Sequence, residues 1–224
     1  VDDVEANLEL IDILMSRAGH TIKGVTSGEA ALTLLRTDPT FDVVLMDVQM
    51  PGMDGLEATR LIRRLTNGAE TIPVVALTAN VMAEQVAECR AAGMDEHLTK
   101  PIRTEALYEV IARVGALSET PVPPDPGAGV PDPLAALKGR YRFRLSTLAA
   151  EFEQMVPLGE PERTESIAAL AHSIAGTSGS LGFAAVSDAA FALEAAASAA
   201  LADEDANRDF SLLVETLISA VASS

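Results

Sequence analysis

Asp2-Asp3, Asp47, Thr78 and Lys100 each fall where a β-strand is expected to end. Carboxylates gathered at one edge of a sheet repel each other, and one takes up a proton unless a cation intervenes. An all-oxygen donor set suits Mg²⁺, which keeps several waters and pairs with phosphate oxygens. Lys100 would bring a positive charge to such a pocket and Thr78 a hydroxyl donor. In the second half a lone histidine stands in the run Ala171-His172-Ser173-Ile174-Ala175-Gly176. A neutral imidazole is a competent nucleophile, so a second reactive group lies far along the same chain.

The elements that must position these groups can be read from hydropathy. Leu8, Ile11, Met15 and Ala18 mark a helix face. Thr21–Val25 reads as a short strand, and Ser27 as the N-cap of a helix reaching Arg36. Phe41–Asp47 is expected to be a strand, with the apolar run Val43–Met46 suited to burial on both faces. Leu56–Leu65 is expected to be helical, Ile72–Leu77 a buried strand, and Met82–Ala92 a helix closed by Gly93. A short strand over Glu96–Thr99 and a helix over Thr104–Leu117 follow. This alternation predicts a doubly wound α/β parallel sheet, in which ligands bind at the carboxyl ends of strands. Asp47, Thr78 and Lys100 all occupy such ends. Only Val1 precedes Asp2-Asp3, which should close a first strand. The expectation is that this strand is truncated because the sequence starts inside a longer protein.

Residues 118–133 read SETPVPPDPGAGVPDP, with six prolines and two glycines, and no regular helix or central strand survives that density. They are expected to link a domain at 1–117 to one at 134–224. The second domain shows helical patterns only. Leu134–Met155 carries an apolar stripe at spacings of three and four. Pro161 suits the first turn of a second helix. Further helices are expected over Ala184–Ala200 and Ala206–Val221, so an all-α four-helix bundle is predicted.

Net charge is −17, and both halves share it: residues 1–113 hold 18 acids against 10 bases, and residues 131–224 hold 13 against 6. Direct nucleic-acid contact and docking on anionic membranes are disfavoured, because both need a basic patch. No long uncharged apolar run predicts membrane insertion, since the Ala-rich stretch near its end carries Asp188, Glu194 and Asp203. Cys89 cannot form an intrachain disulfide alone, which fits a reducing cytoplasm. It is read as a packed or inert helical residue. His20 is read as a solvated loop residue.

The run Val44-Leu45-Met46-Asp47-Val48-Gln49-Met50-Pro51-Gly52-Met53-Asp54-Gly55, with Leu77-Thr78-Ala79 and Thr99-Lys100-Pro101, resembles the acceptor site of two-component response-regulator receiver domains. The resemblance covers residues 1 to about 117 and implies a flavodoxin-like fold. It implies that Asp47 is the phosphoacceptor. It also implies that Asp3, Asp47 and the Gln49 backbone carbonyl bind Mg²⁺, with Asp2 helping through water. Lys100 would neutralise the phosphoryl oxygens and Thr78 would hydrogen-bond them, with a cis Lys100–Pro101 peptide. One position departs from the family. Receivers commonly carry Tyr or Phe two residues before the Thr-Lys pair as a rotamer switch, and this chain has His97. Either the imidazole flips inward with Thr78 as a switch, or it is a partly exposed residue without a role.

His172 through Gly182 is similar to the phosphoacceptor helix of histidine phosphotransfer (HPt) domains, with Gly176 and Gly182 matching and Ala175 in place of a lysine that helps hold the phosphoryl group. Measured from Leu170 and Ile174 at 100° per residue, His172 is expected to face away from the bundle core amid small residues. Together the resemblances imply a phosphorelay segment such as ends a hybrid sensor histidine kinase. Asp47 would receive from an upstream histidine kinase core, and His172 would pass the group to a downstream response regulator. The alternative is a non-catalytic module, in which the receiver gates partner binding and the bundle only docks a partner. No nucleotide-binding motif is seen, so ATP is not expected as the direct substrate.

Overall fold

Strand and helix alternate in the first half of the computed structural model, which describes residues 1–79, 83–115, 132–155, 161–202 and 209–224. Most of the linker expected at 118–133 lies outside these residues. The chain divides into two units, Val1–Val130 and Pro131–Ser224.

The first unit contains α1 (Glu5–Arg17), α2 (Gly28–Thr37), β1 (Val44–Asp47), α3 (Gly55–Ile62), β2 (Val74–Thr78), α4 (Ala83–Ala92), β3 (Glu96–Thr99) and α5 (Thr104–Arg113). The described strands form one parallel sheet in the order β1-β2-β3. All five residues of β2 are buried, as a central strand covered on both faces requires. Strand alternation sends Val74 and Ala76 to one face, into a core shared with Leu32 and Leu35 of α2, Ala58 and Ile62 of α3 and Cys89 of α4. On the other face α5 is tied to α1, where the Tyr108 hydroxyl donates to the Leu14 carbonyl at 2.8 Å. This is the doubly wound arrangement that the hydropathy predicts.

The helix starts follow their local chemistry. Ser27 Oγ accepts from the Ala30 N–H at 3.2 Å, and Asp54 Oδ1 accepts from the Glu57 N–H at 2.7 Å. Each side chain satisfies an orphan donor of the first turn. Thr21–Val25, expected as a strand, forms no ladder. A strand needs a hydrogen-bonded neighbour along its length, and the Asp2–Val25 bond is a single contact. The Val1 amino group donates to the Leu45 carbonyl at 2.7 Å, the Asp47 N–H to Val1 at 2.9 Å, and the Asp2 N–H to Val25 at 3.2 Å. Alongside lies a cavity of about 640 Å³, lined by Leu8, Ile11, Ile22, Phe41 and Val43 among others. His20 also lines it with Nε2 buried and unpartnered, so this residue is not the solvated loop histidine expected.

Arg63, just past α3, is a clamp that hydropathy did not flag. Its Nη1 donates to the carbonyls of Glu70 at 3.0 Å and Ile72 at 2.8 Å, its Nε to Gly93 at 2.9 Å, and its Nη2 to Asp95 at 2.7 Å. Asp95 also accepts from the Val74 N–H at 2.8 Å, so one guanidinium sets the start of β2 and the turn before β3. Asp95 is half exposed, so the ion pair itself adds little and the carbonyl contacts carry the clamp. Arg63→Ala is expected to destabilise the first unit by about 2 kcal/mol, through loss of charge-assisted bonds to backbone. Urea unfolding checks this, and an unchanged midpoint contradicts it.

The second unit is helical: α6 (Pro133–Met155), α7 (Pro161–Ser180), α8 (Ala184–Ala202) and α9 (Ser211–Ala222). The last helix is described from Ser211, and the start expected at Ala206 lies outside the described residues. Leu137, Tyr141, Leu145 and Phe152 of α6 are buried with Ile167, Ala171 and Ile174 of α7, Leu193 and Ala197 of α8, and Val214 and Leu217 of α9. The Tyr141 hydroxyl meets Ser178 Oγ at 3.1 Å, so its polar tip is satisfied inside the bundle. Small side chains let α7 and α8 approach closely, and Ser187 Oγ of α8 donates to the Ala175 carbonyl of α7 at 2.7 Å. Among the described residues, α8 is long and apolar enough by length and composition to cross a membrane. Its Val186, Ala190, Leu193, Ala197 and Ala200 are buried in the bundle.

Candidate functional site

Parallel pairing arranges the strand ends as a staircase. Asp47 lies level with Leu77, and Leu77 with Leu98, so Thr78 stands one step further along β2 and Lys100 two steps further past β3. The Lys100 N–H donates to the Thr78 carbonyl at 2.7 Å, and the Lys100–Pro101 peptide is cis. From there the lysine side chain reaches back. Lys100 Nζ lies 2.6 Å from Asp47 Oδ2 and 2.9 Å from Asp2 Oδ2. All three side chains are almost fully buried, and Thr78 is buried with them.

Asp2 is held from behind by Asn7 of α1, whose Nδ2 donates to both carboxylate oxygens at 2.9 and 3.0 Å. The Val4 N–H donates to Oδ1 at 3.0 Å. Asn7 escaped the sequence reading, although its place one turn into α1 beyond Asp2 was available as a signal. Asp3 is exposed, and one carboxylate oxygen each from Asp2, Asp3 and Asp47 lie within 4.8 Å of one another. The Gln49 N–H donates to Asp47 Oδ1 at 3.2 Å, so this exposed residue sits at the rim. His97 lies on β3 opposite Ala76 and is half-buried.

Gly55 closes the floor of the site. A Cβ at this position would stand 2.0 Å from the Asp47 carbonyl oxygen, so only glycine lets α3 begin against the end of β1.

The electrostatics follow from one ammonium facing two buried carboxylates. Burial pushes the Asp47 carboxyl up to about 6; Lys100 opposes the rise and Asp2 adds to it. Burial by itself would lower the Lys100 ammonium, but Asp47 and Asp2 outweigh it and hold Lys100 above its ordinary value. A metal-free pocket is therefore short of positive charge. Three carboxylates offering hard oxygen atoms, one of them exposed, are a donor set that fits Mg²⁺. Asp2 accepts from Asn7, Val4 and Lys100, and Asp47 from Lys100 and Gln49.

His172 lies in the second unit, on α7. Its Nδ1 is 2.8 Å from Glu194 Oε1 of α8, and both side chains are about four-fifths buried, with 17% and 21% of their surface exposed. The expectation of a freely exposed imidazole is corrected here. The core stripe of α7 includes Ala171, Ala175 and Ser178 beside Ile167 and Ile174, while Leu170 is only half-buried. His172 therefore sits at the edge of that stripe, beside α8. Ala175, which stands where a lysine was expected, is fully buried with its carbonyl bonded to Ser187. Glu194 was seen only as a charge within an alanine run.

The family profile described as response regulator receiver domain matches residues 1–112. The chain belongs to this receiver family. A second profile, described as Hpt domain, matches residues 141–224, so the receiver is followed by an Hpt domain. Sensor histidine kinase GacS of Pseudomonas protegens is 44% identical over 115 residues, covering 50% of this chain and 12% of that protein. Signal transduction histidine-protein kinase BarA of Escherichia coli K12 is 36% identical over 163 residues, covering 70% of this chain and 18% of that protein. Virulence sensor protein BvgS of Bordetella bronchiseptica is 30% identical over 222 residues, covering 87% and 18%. The chain thus spans less than a fifth of each of these relatives. Among solved structures, Vibrio cholerae chemotaxis protein CheY4 is 28% identical with a TM-score of 0.48, covering 50% of this chain and 92% of that one. The receiver domain of sensor histidine kinase PA1611 from Pseudomonas aeruginosa, described with magnesium in its active site cleft, is 31% identical with a TM-score of 0.47, covering 51% and 93%. A receiver followed by an Hpt domain, as in hybrid sensor kinases, is a phosphorelay module of two-component signalling.

Proposed function

We propose that Asp47 accepts a phosphoryl group from an upstream phosphohistidine and that His172 carries it on to the aspartate of a downstream response regulator. The observation that supports this most is the buried Asp47–Lys100–Asp2 cluster at the carboxyl end of the sheet. Its nucleophilic oxygen is held against a fixed positive charge. In the transfer, Asp47 attacks phosphorus in line, the P–N bond of the donor breaks, and the product is an acyl phosphate. Lys100 lies within reach of the equatorial oxygens, where charge stabilisation lowers the barrier. Thr78 would then bind the transferred group. Mg²⁺, held by Asp3, Asp47 and the Gln49 carbonyl with Asp2 acting through water, would supply the remaining positive charge. His97 takes the place of the aromatic switch residue.

We assign the receiver to residues 1–117, the linker to 118–133 and the Hpt bundle to 134–224. A linker of 16 residues spans roughly 20–50 Å depending on how far its prolines keep it extended. Tethering at that length gives effective concentrations in the mM range, enough to favour transfer within one chain. The partners are a histidine kinase core and a response regulator, and the working compartment is the cytoplasm. An acidic surface on both halves is consistent with protein partners rather than nucleic acid.

The test is phosphotransfer from labelled acetyl phosphate with Mg²⁺, and from a phosphorylated kinase core, into wild type, Asp47→Ala and His172→Gln. Acyl phosphates are lost in alkali and phosphohistidine in acid. Acid-labile label in wild type that is absent from both variants is the expected result. Base-labile label alone, with either donor, overturns the relay and favours a receiver that only gates partner binding.

A further inference from the structure

We infer that Asn7 is a positioning residue for Mg²⁺ at the acceptor pocket, holding Asp2 with its amide nitrogen and receiving a water of the Mg²⁺ shell on its amide oxygen. The inference rests on the reading above of the acidic cluster as the Mg²⁺ site for phosphotransfer at Asp47.

The bonds of Asp2 come first. An ionised carboxylate offers about four lone-pair sites on its two oxygens. Oδ1 accepts from the Val4 N–H at 3.0 Å and from Asn7 Nδ2 at 2.9 Å. Oδ2 accepts from Asn7 Nδ2 at 3.0 Å and from Lys100 Nζ at 2.9 Å. Asp2 is thus saturated, and it meets a cation through that cation's waters unless it gives up one of these bonds. Asn7 supplies two of the contacts from a single nitrogen, so it sets the plane in which the carboxylate lies.

The other end of the same amide carries the argument further. A carboxylate only accepts, so the group that Asn7 turns toward Asp2 is its NH₂. That choice leaves Asn7 Oδ1 buried with no hydrogen-bond partner among the described residues, on a side chain that is itself buried. A buried acceptor left unpaired costs free energy, and such atoms are rare in folded proteins. Both amide atoms stand on one carbon, so the orphan oxygen lies beside the Asp2 carboxylate. It therefore borders the cluster in which oxygens of Asp2, Asp3 and Asp47 come within 4.8 Å of one another. The backbone donors beside it are already used: the Val4 N–H on Asp2, and the Asn7 N–H on the Val4 carbonyl at 3.0 Å. Mg²⁺ keeps several waters when it binds carboxylates, and a water polarised by the ion is a strong donor. One amide in the first turn of α1 can then orient a carboxylate and a water together.

The experiment uses the full chain as wild type, Asn7→Ala and Asn7→Ser, with no phosphodonor present. The urea midpoint of the first unit is followed against MgCl₂ and, separately, CaCl₂. The stabilisation by each cation gives its dissociation constant even where a variant is less stable without metal. Mg²⁺ affinity is expected to fall about 10–100-fold in Asn7→Ala, the usual loss when a group supporting a metal site is removed. Ca²⁺ takes more oxygen ligands in a looser shell and should lose less, so the preference for Mg²⁺ over Ca²⁺ shrinks. The hydroxyl of Asn7→Ser can fill one of the two roles, and this variant should fall between; it carries the same comparison if Asn7→Ala does not fold. An unchanged Mg²⁺ constant, or an equal loss for both cations, overturns the inference and leaves Asn7 a structural brace. Uptake of label from acetyl phosphate is read in parallel. If wild type binds Mg²⁺ with this dependence on Asn7 but takes no label, the relay reading fails and the role of Asn7 at the metal stands.

Discussion

Lys100→Met is expected to destabilise the first unit by about 3–5 kcal/mol at pH 7.5, the usual cost of removing one partner from a buried ion cluster. Methionine fills nearly the same volume, so the loss is electrostatic rather than a cavity. It leaves Asp2 and Asp47 buried side by side with no counter-charge. The pH dependence gives the signature. Asp47 in the folded protein already titrates at about 6, above its ordinary value of 3.8, because burial and Asp2 raise it. Between those values the folded state binds more protons than the unfolded chain, so stability falls as pH rises through this window. Without Lys100 the folded value moves higher still and the fall steepens. The variant should approach wild type near pH 4–5 and diverge from it toward pH 7.5. Wild-type Lys100 is raised, so its own contribution is present at neutral pH and is lost only when alkaline pH passes its folded value. Urea titrations at pH 5 and 7.5 measure this. An equal loss at both pH values would show that Lys100 matters for packing and not for charge. Asp47→Asn in the Lys100→Met background should recover part of the loss at pH 7.5 by removing one of the two carboxylates.

Gly55→Ala should be nearly as damaging without changing any charge. The new methyl would lie 2.0 Å from the Asp47 carbonyl oxygen and 2.9 Å from its carbon. Backbone cannot yield as a flexible side chain does, so α3 must separate from β1. The cost is expected to be about 3 kcal/mol, the upper range for overpacking. The displacement falls on Asp47 itself, so label uptake from acetyl phosphate should drop along with stability. Gly139 of α6 is the control, since nothing lies within 4 Å of the Cβ it lacks. Gly139→Ala should leave the first unit untouched and stabilise its own helix by up to about 1 kcal/mol. If Gly55→Ala unfolds at the wild-type urea concentration, the close approach of α3 is not what fixes Asp47.

Sequence reading reached the pocket of Asp47, Thr78 and Lys100 because its parts are tied to strand ends. A continuous apolar run followed by a carboxylate places Asp47 without any knowledge of its neighbours, and β2 and β3 place Thr78 and Lys100 by the same logic. It did not reach the groups that approach from the side. Asn7 bonds Asp2 from five residues along the chain as a polar group that hydropathy does not mark, and the carbonyls around Arg63 lie 7 to 30 residues away, where no helical or strand period encodes them. At His172 the angular argument took Leu170 for a core residue. Ile167, Ile174 and Leu181 are buried as the apolar spacing indicates, but alanine and serine at 171, 175 and 178 shift the seam toward His172, and small residues carry too little hydropathy to mark that shift. The ladder expected at Thr21–Val25 failed for a different reason, because extended chain becomes a strand only when a neighbour supplies its hydrogen bonds.

Counting formal charges turns the Asp2–Asp47–Lys100 arrangement into an account of signalling. Three carboxylates, one ammonium and a divalent cation sum to neutrality, so on the proposed chemistry the loaded resting pocket carries no net charge. An acyl phosphate replaces one negative charge with two. Phosphorylation therefore leaves the pocket one negative charge in excess in a place that water scarcely reaches, and the nearby N–H and O–H dipoles must turn to meet it.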